Sequence, residues 1–291
     1  MASGNLRSIV AMLAAVAMFS LMDAVLKTLS ASYPAMQVAA LRGLSALPLV
    51  CLYVLSRKDA RLLLRVRWPL HLLRGGVGVL MLALFSQALK TLALAEAYAI
   101  FFIAPLLITL FAIPVLKETV SSRHWLAIAF GLVGVVVALR PDHGAMVSLG
   151  ALAALGSAVC YAVAVIAGRL LSRTDPGVTL VFWATAMWAF GAGVLALPGW
   201  VEVSFAQWPA LVALAVTGFL GQVAITEAFR HGQASAVAPF EYTALAWAIG
   251  LDWLLWHVLA DPMTLLGAAI IIASGIYLIR REAPRPVAPA P

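Results

Sequence analysis

Apolar residues in this chain run in long blocks separated by short polar gaps, and the blocks set its elements. Crossing about 30 Å of hydrocarbon takes roughly 20 apolar residues at about 1.5 Å rise each. Nearly everything up to Arg281 divides into pieces of that kind. The pattern predicts helices over 7–26, 34–55, 68–89, 93–115, 124–139, 147–170, 177–198, 208–229, 233–257 and 263–279. The fold class that follows is an all-α integral membrane protein with ten transmembrane helices. Only Lys90 and Thr91 separate the third block from the fourth, which leaves nine as the competing count.

Basic residues decide between the two counts, because cytoplasmic loops keep lysine and arginine and translocated loops do not. With the N-terminus inside, Arg57, Lys58, Arg61, Arg65 and Arg67 fall together in one cytoplasmic gap. Lys117 with Arg123, Arg169 with Arg173, and Arg280, Arg281 and Arg285 fall in others. Only Lys27, Lys90 and Arg140 fall outside, while Arg42 and Arg74 lie within spans. Both termini are therefore expected in the cytoplasm of a cell with this chain in its inner membrane. That requires an even number of spans and favours ten. Arg7 and the apolar run after it read as a retained signal-anchor helix rather than a cleaved leader. Residues 282–291, alternating Pro and Ala, read as a disordered cytoplasmic tail.

Composition agrees with lipid as the solvent: hydrophobic residues make up 64% of the chain and charged residues 11%. The net charge of +7 is spread over short loops rather than gathered on one face. It therefore fits attraction to anionic lipid and not nucleic-acid binding. Cys51 and Cys160 sit inside apolar helices without metal-ligand spacing, so neither a disulfide framework, a metal site nor a cofactor is expected. None of Lys27, Lys58, Lys90 and Lys117 follows a glycine, which excludes a Walker lysine and ATP-driven pumping by this chain.

The two halves resemble one another. A shift of 140 residues lays Ala88, Leu89 and Lys90 on Ala228, Phe229 and Arg230, and Arg140 on Arg280; a shift of 142 lays Phe19 on Tyr161 and Pro34 on Pro176. The repeats are 1–140 and 141–281, five spans each. An odd count forces the second repeat into the membrane upside down. Inverted repeats of this kind build secondary transporters whose substrate sits at the midplane.

The run ALKTLALAEAYAIFFIAPLLITLFAIPVLKE with WLAIAFGLVGVVV, and its partner APFEYTALAWAIGLDWLL with TLLGAAIIIASGIYLIRRE, resemble the paired signature of ten-helix EamA-type carriers of the drug/metabolite transporter superfamily. The resemblance covers residues 7–281, and among subgroups the chain looks most like YddG-type amino-acid exporters. It implies a proline within the fourth helix of each repeat and a glutamate at that helix's end. The first repeat has Pro105 and Glu118; the second has Leu245 and Val258, so a straighter ninth helix is expected. The resemblance further implies a secondary carrier exporting small amphipathic metabolites, neutral or aromatic amino acids first. Uptake or exchange of a nucleoside, vitamin or polyamine is the alternative. It implies a central cavity among helices 1, 3, 4, 6, 8 and 9.

Polar side chains inside hydrocarbon are costly and face a bundle interior or a wet cavity. Met12, Ala15, Phe19 and Asp23 form one stripe of helix 1, and Ser157, Tyr161, Ala164 and Gly168 the related stripe of helix 6. Helix 3 offers Ser86, helix 4 Tyr98 and Phe101, helix 8 Gln222, and helix 9 Glu241 and Tyr242. These eight, Phe19, Ser86, Tyr98, Phe101, Tyr161, Gln222, Glu241 and Tyr242, are the expected substrate contacts. Glu241 reads equally well as a counter-charge or proton carrier and as a paired structural carboxylate. Asp23 and Arg42 read first as structural partners, and Glu227 with Arg230 as an intrahelical pair. Buried tyrosines need a partner for their hydroxyls, which places them in the cavity ahead of Trp183, Trp188 and Trp247. Pro105 and Pro239 are the expected hinges. Gly131, Gly134, Gly267 and Gly275 are read as close-packing positions of helices 5 and 10.

Two other classes fit less well. A zincin would need HExxH, and an acyl-transfer site a nucleophile beside a base. The histidines lie at span edges or, for His143, in a loop. A channel would need rings of repeated polar residues or a carbonyl filter.

Overall fold

The computed structural model describes residues 2–56, 63–64, 66–88, 97, 100–139, 148–257, 259–260 and 262–282. Glu96, Tyr98 and the tail after Glu282 lie outside them. Within the described residues all regular structure is helical. The helices are α1 (Ala2–Leu29), α2 (Ala35–Ser56), α3 (Trp68–Ala88), α4 (Ala104–Phe111), α5 (Ser122–Leu139), α6 (Leu149–Leu171), α7 (Gly177–Ala196), α8 (Trp208–His231), α9 (Ala244–Trp256) and α10 (Pro262–Glu282).

Six of these stretches are both long and apolar enough to cross a membrane: Leu6–Leu29, Ala35–Ser56, Trp68–Ala88, Leu149–Leu171, Gly177–Gly199 and Phe205–His231. Ala104–Leu116, Ser122–Ala138 and Pro262–Leu278 are apolar but shorter. The outer surface is apolar as well, with Leu52, Leu72, Phe190, Val194 and Leu254 all turned outward. A surface of this kind needs lipid rather than water around it.

Four antiparallel pairs hold the bundle together. Helix α1 lies on α8, where Gly221 and Gly218 accept Phe19 and Met22, and near the start of α1 Gly232 meets Ser8. On α6 rests α3, Leu84 beside Gly156 and Arg74 beside Gly168, and Ser157 Oγ donates to the Met81 carbonyl at 3.0 Å. Helices α2 and α7 meet so closely that a Cβ on Gly43 would stand 2.7 Å from Ala189 Cα. Their far ends are tied by Gln37, which donates to the Val201 carbonyl (2.6 Å) and accepts from its N–H (2.9 Å). Between α5 and α10 the backbones touch at Gly134 and Gly267, each in the other's carbonyl shadow. The expected close packing of helices 5 and 10 is thus seen at those two glycines. Gly131 instead makes room for Tyr242, and Gly275 lies at ordinary contact distance from Phe240.

The ninth helix departs from the expectation of straightness. One helical turn, Ala234–Val237, is followed by a 3-10 stretch, Ala238–Thr243, before α9 begins. Pro239 explains the break: it has no N–H to donate and its ring crowds the preceding turn. The fourth helix is interrupted twice. Phe102 and Ile103 form a turn immediately before Pro105, which then occupies the first turn of α4, where a missing N–H costs nothing. After α4 a π-helical turn spans Ala112–Leu116 with Pro114 inside it. Both interrupted helices end in a left-handed residue, Lys117 (φ 57°) and His257 (φ 54°), 140 positions apart like the sequence repeat. Glu118 accepts from the N–H groups of Ala234 (2.9 Å) and Ser235 (3.1 Å) and from Ser235 Oγ (3.0 Å), capping the turn before Pro239.

Candidate functional site

The two antiparallel layers leave a chamber of about 220 Å³ along the middle of the bundle. Helix α1 contributes Phe19 and Asp23, and α6 contributes Tyr161 and Gly168. Both predicted stripes therefore face it. The charged lining comes from Arg42 on α2 and Arg74 on α3, with Trp188 of α7 and Gln222 of α8 completing the wall. Helices 2 and 7 were absent from the expected cavity set, and the structure adds them.

A second cavity of about 150 Å³ adjoins the first, sharing Phe19, Asp23, Phe101 and Tyr161 with it, and Glu241 lies on its far wall. A third, of about 320 Å³, runs between α1, α9 and α10 toward Lys27, Asp252 and Trp256. Asp23 borders all three.

Local geometry explains how each side chain is held. Tyr161 donates to Glu241 Oε1 at 3.0 Å, so the broken ninth helix is pinned to α6 through a carboxylate. The ring of Phe101 tilts against Tyr161 with centroids 5.5 Å apart, and Phe85 meets Phe101 edge-on at the same distance. This aromatic step separates the first two cavities. Arg42 stands over the Phe19 ring, its Cζ 5.4 Å from the centroid, and its charge acts on Asp23. Both side chains line the same chamber wall.

Arg74 is 9% exposed and donates from Nη1 to the Leu180 carbonyl at 3.2 Å. It fits because α6 carries glycine opposite: a Cβ at Gly168 would press within 3.3 Å of its guanidinium carbon. One turn earlier on α3, His71 Nε2 lies 2.8 Å from Asp175 Oδ2, with both side chains almost fully buried. Thr174 Oγ1 donates to the other oxygen at 2.8 Å. This pair bolts α3 to the link between α6 and α7 and so fixes the depth of Arg74. Gln222, 6% exposed, offers a side-chain nitrogen with no acceptor, and so does the indole nitrogen of Trp188, packed over Gly78.

The structure brings together five of the expected contacts, Phe19, Phe101, Tyr161, Gln222 and Glu241. Ser86 is half-buried on α3 and does not line these cavities. Tyr242 is fully buried elsewhere, in the seam of Val135, Ala138, Leu245 and Ile271, although it neighbours Glu241 in sequence. Trp188 takes the place that the tyrosine-first ordering gave to Tyr242. Glu227 is structural: it meets Arg230 at 3.8 Å, His231 at 2.9 Å and Arg7 of α1 at 3.6 Å. No cluster of three His, Cys, Asp or Glu side chains suited to a metal occurs among the described residues. Chemically the arrangement offers guanidinium and amide donors, two carboxylates and aromatic faces across two adjoining cavities, which is equipment for binding and orienting a small molecule.

Comparison with known proteins agrees with this anatomy. Residues 6–140, and again 148–281, match the EamA-like transporter family. The pseudopaline exporter CntI of Pseudomonas aeruginosa is 32% identical over 270 residues, covering 91% of this chain and 93% of that protein. A riboflavin transporter of Vibrio cholerae is 28% identical over 215 residues, 73% of this chain and 72% of that one. A crystal structure with 22% sequence identity superposes with a TM-score of 0.80 over 96% of this chain and 98% of its own, sharing the fold.

Proposed function

The chain belongs to the EamA-like transporter family, and we propose that it is a secondary carrier of the inner membrane exporting small amphipathic metabolites, neutral and aromatic amino acids foremost, by alternating access. The observation that carries this reading is the central chamber, with charged and aromatic side chains from both halves of the chain, enclosed within an apolar bundle.

The reading includes ten spans with both termini in the cytoplasm, arranged as inverted repeats. Exchanging each helix with the one five places on turns the α1–α8 contact into α6–α3 and leaves α2–α7 and α5–α10 as self-paired seams. Those self-paired counterparts run antiparallel, as an inversion requires. The left-handed helix ends at Lys117 and His257 add a second correspondence at the same 140-residue spacing. A carrier of this build exposes its chamber to one side at a time as the repeats rock.

The likeness to a riboflavin transporter and the Phe19, Phe101 and Tyr161 rings favour a second reading, uptake of an aromatic vitamin. Counterflow distinguishes the two. Proteoliposomes preloaded with unlabelled compound should accumulate labelled amino acid saturably under the first reading, and labelled flavin or nucleoside under the second. Absence of saturable counterflow for every class would refute both. Under the leading reading Glu241→Gln alters the pH dependence of transport; an unchanged profile removes the carboxylate from the mechanism.

A further inference from the structure

We infer that Arg74 is the docking point for an anionic group of the substrate, so that a carboxylate is the obligatory recognition element of this carrier. The inference deepens the carrier reading and rests on it.

Arg74 is a permanently charged group at least nine-tenths removed from solvent, six residues inside α3 and therefore roughly 9 Å along the helix from its start. A buried charge is stable only when it is paired and its hydrogen bonds are used. Among the described residues Arg74 makes one hydrogen bond, to the neutral Leu180 carbonyl, and no carboxylate lies within ion-pair distance of it. The nearest acid along the fold, Asp175, is already occupied by His71 and Thr174. Of the two carboxylates that border the cavities, Glu241 accepts from Tyr161, and Asp23 shares the chamber wall with Arg42. Among the described residues, Arg74 has no carboxylate of its own.

Its surroundings hold space for a partner rather than bulk to cover it. Gly168 puts no side chain against the guanidinium, and the chamber opens beside both. A second unsatisfied donor borders the same chamber, the Gln222 amide nitrogen, itself buried. A guanidinium whose one hydrogen bond goes to a neutral carbonyl, beside an amide nitrogen with no acceptor, defines what should enter the chamber: an acceptor carrying negative charge. The planar fork of a guanidinium matches a carboxylate through two parallel N–H···O bonds, a geometry that a lysine ammonium does not reproduce. The walls toward Phe101 and Tyr161 are aromatic, which fits an apolar body attached to that carboxylate.

The test uses full-length protein in proteoliposomes and three probe scaffolds, phenyl, indole and isobutyl. Each is supplied as the amino acid, as its carboxamide and as the amine lacking the carboxylate. Counterflow of the amino acids should exceed that of the amides and amines by at least about thirtyfold, the cost of leaving a buried charge unpaired. Arg74→Gln should abolish that preference, and Arg74→Lys should recover part of it. Because Arg74→Gln could unfold the bundle, each variant is also passed through size exclusion, and the partly active lysine variant keeps the comparison meaningful. Equal transport of amides and amino acids by the native protein would overturn the inference while leaving the carrier standing. So would an Arg74→Gln variant of native selectivity. A complete lack of saturable counterflow would bring down the carrier reading and this inference together.

Discussion

At the residue scale, the chamber shows how neighbouring positions acquire different fates. Glu241 and Tyr242 are adjacent, yet one reaches a cavity beside Tyr161 and the other fills the α5–α10 seam. Within a 3-10 stretch successive side chains point about 120° apart, so only one of two neighbours can face a given wall. The Tyr161–Glu241 bond gives this arrangement a measurable energy. Tyr161→Phe removes the donor while leaving the carboxylate in place, which should cost about 1–3 kcal/mol. Adding Glu241→Gln removes the charge that was left unserved, and the pair should depart from additivity by at least about 0.5 kcal/mol. Thermal melts of the two single variants and the double variant in detergent measure both quantities. Strict additivity would mean that the hydroxyl and carboxylate do not depend on each other.

At the element scale, two seams do different work and should respond differently to substitution. Where α5 and α10 touch, a side chain on Gly267 would run into the Gly134 carbonyl and the Ala138 backbone, so the helices must separate to admit one. Gly267→Val should destabilise the protein by about 1–3 kcal/mol, the usual cost of overpacking. The Michaelis constant should hold, because neither glycine borders the chamber. The break at Pro239 is the opposite case. Pro239→Ala restores a donor and lets the 3-10 stretch wind into a regular helix, turning Glu241 away from Tyr161. Turnover should fall severalfold, while the regular helix gained offsets the lost Tyr161 bond in the melting temperature, and transport kinetics beside a melt would separate the two effects. Much of this level was legible in the chain. Block length marked out the apolar helices, and the 3.6-residue period found the chamber faces of α1 and α6, where Phe19 and Asp23, and Tyr161, Ala164 and Gly168, recur at helical spacing on the wall. Arg42, Arg74 and Trp188 were harder to place. Periodicity reveals that a helix has a polar face but not which neighbour that face meets, and the polar residues of α2 and α7 are too scattered along apolar runs to mark one. In the ninth helix the break falls at Pro239, one of the two expected hinges, while the straightness expected from Leu245 is confined to Ala244–Trp256.

At the scale of the whole molecule, the three cavities form a series, and its two ends differ in what closes them. Near the start of α1, Glu227 gathers Arg7, Arg230 and His231, while Glu118 holds the turn at Ala234 and Ser235. At the opposite end a charged tie joins α1 to α9: Lys27 Nζ donates to Asp252 Oδ1 at 2.8 Å and lies 4.0 Å from the centre of the Trp256 ring. Both charged side chains are about half exposed, so the pair contributes little stability, on the order of 0–1 kcal/mol. A weak, solvent-accessible tie at the mouth of a cavity is suited to breaking and re-forming, whereas a strong one would hold the carrier in a single state. Under the proposed alternating access, rocking of one repeat against the other would require α1 and α9 to part there once per cycle. A Lys27→Cys/Asp252→Cys double variant should therefore transport normally when reduced, stop when its thiols are joined by a short bifunctional reagent, and recover when a cleavable link is reduced. Transport that continued with the two helices covalently joined would show that this end of the bundle does not open, and would place the exit elsewhere.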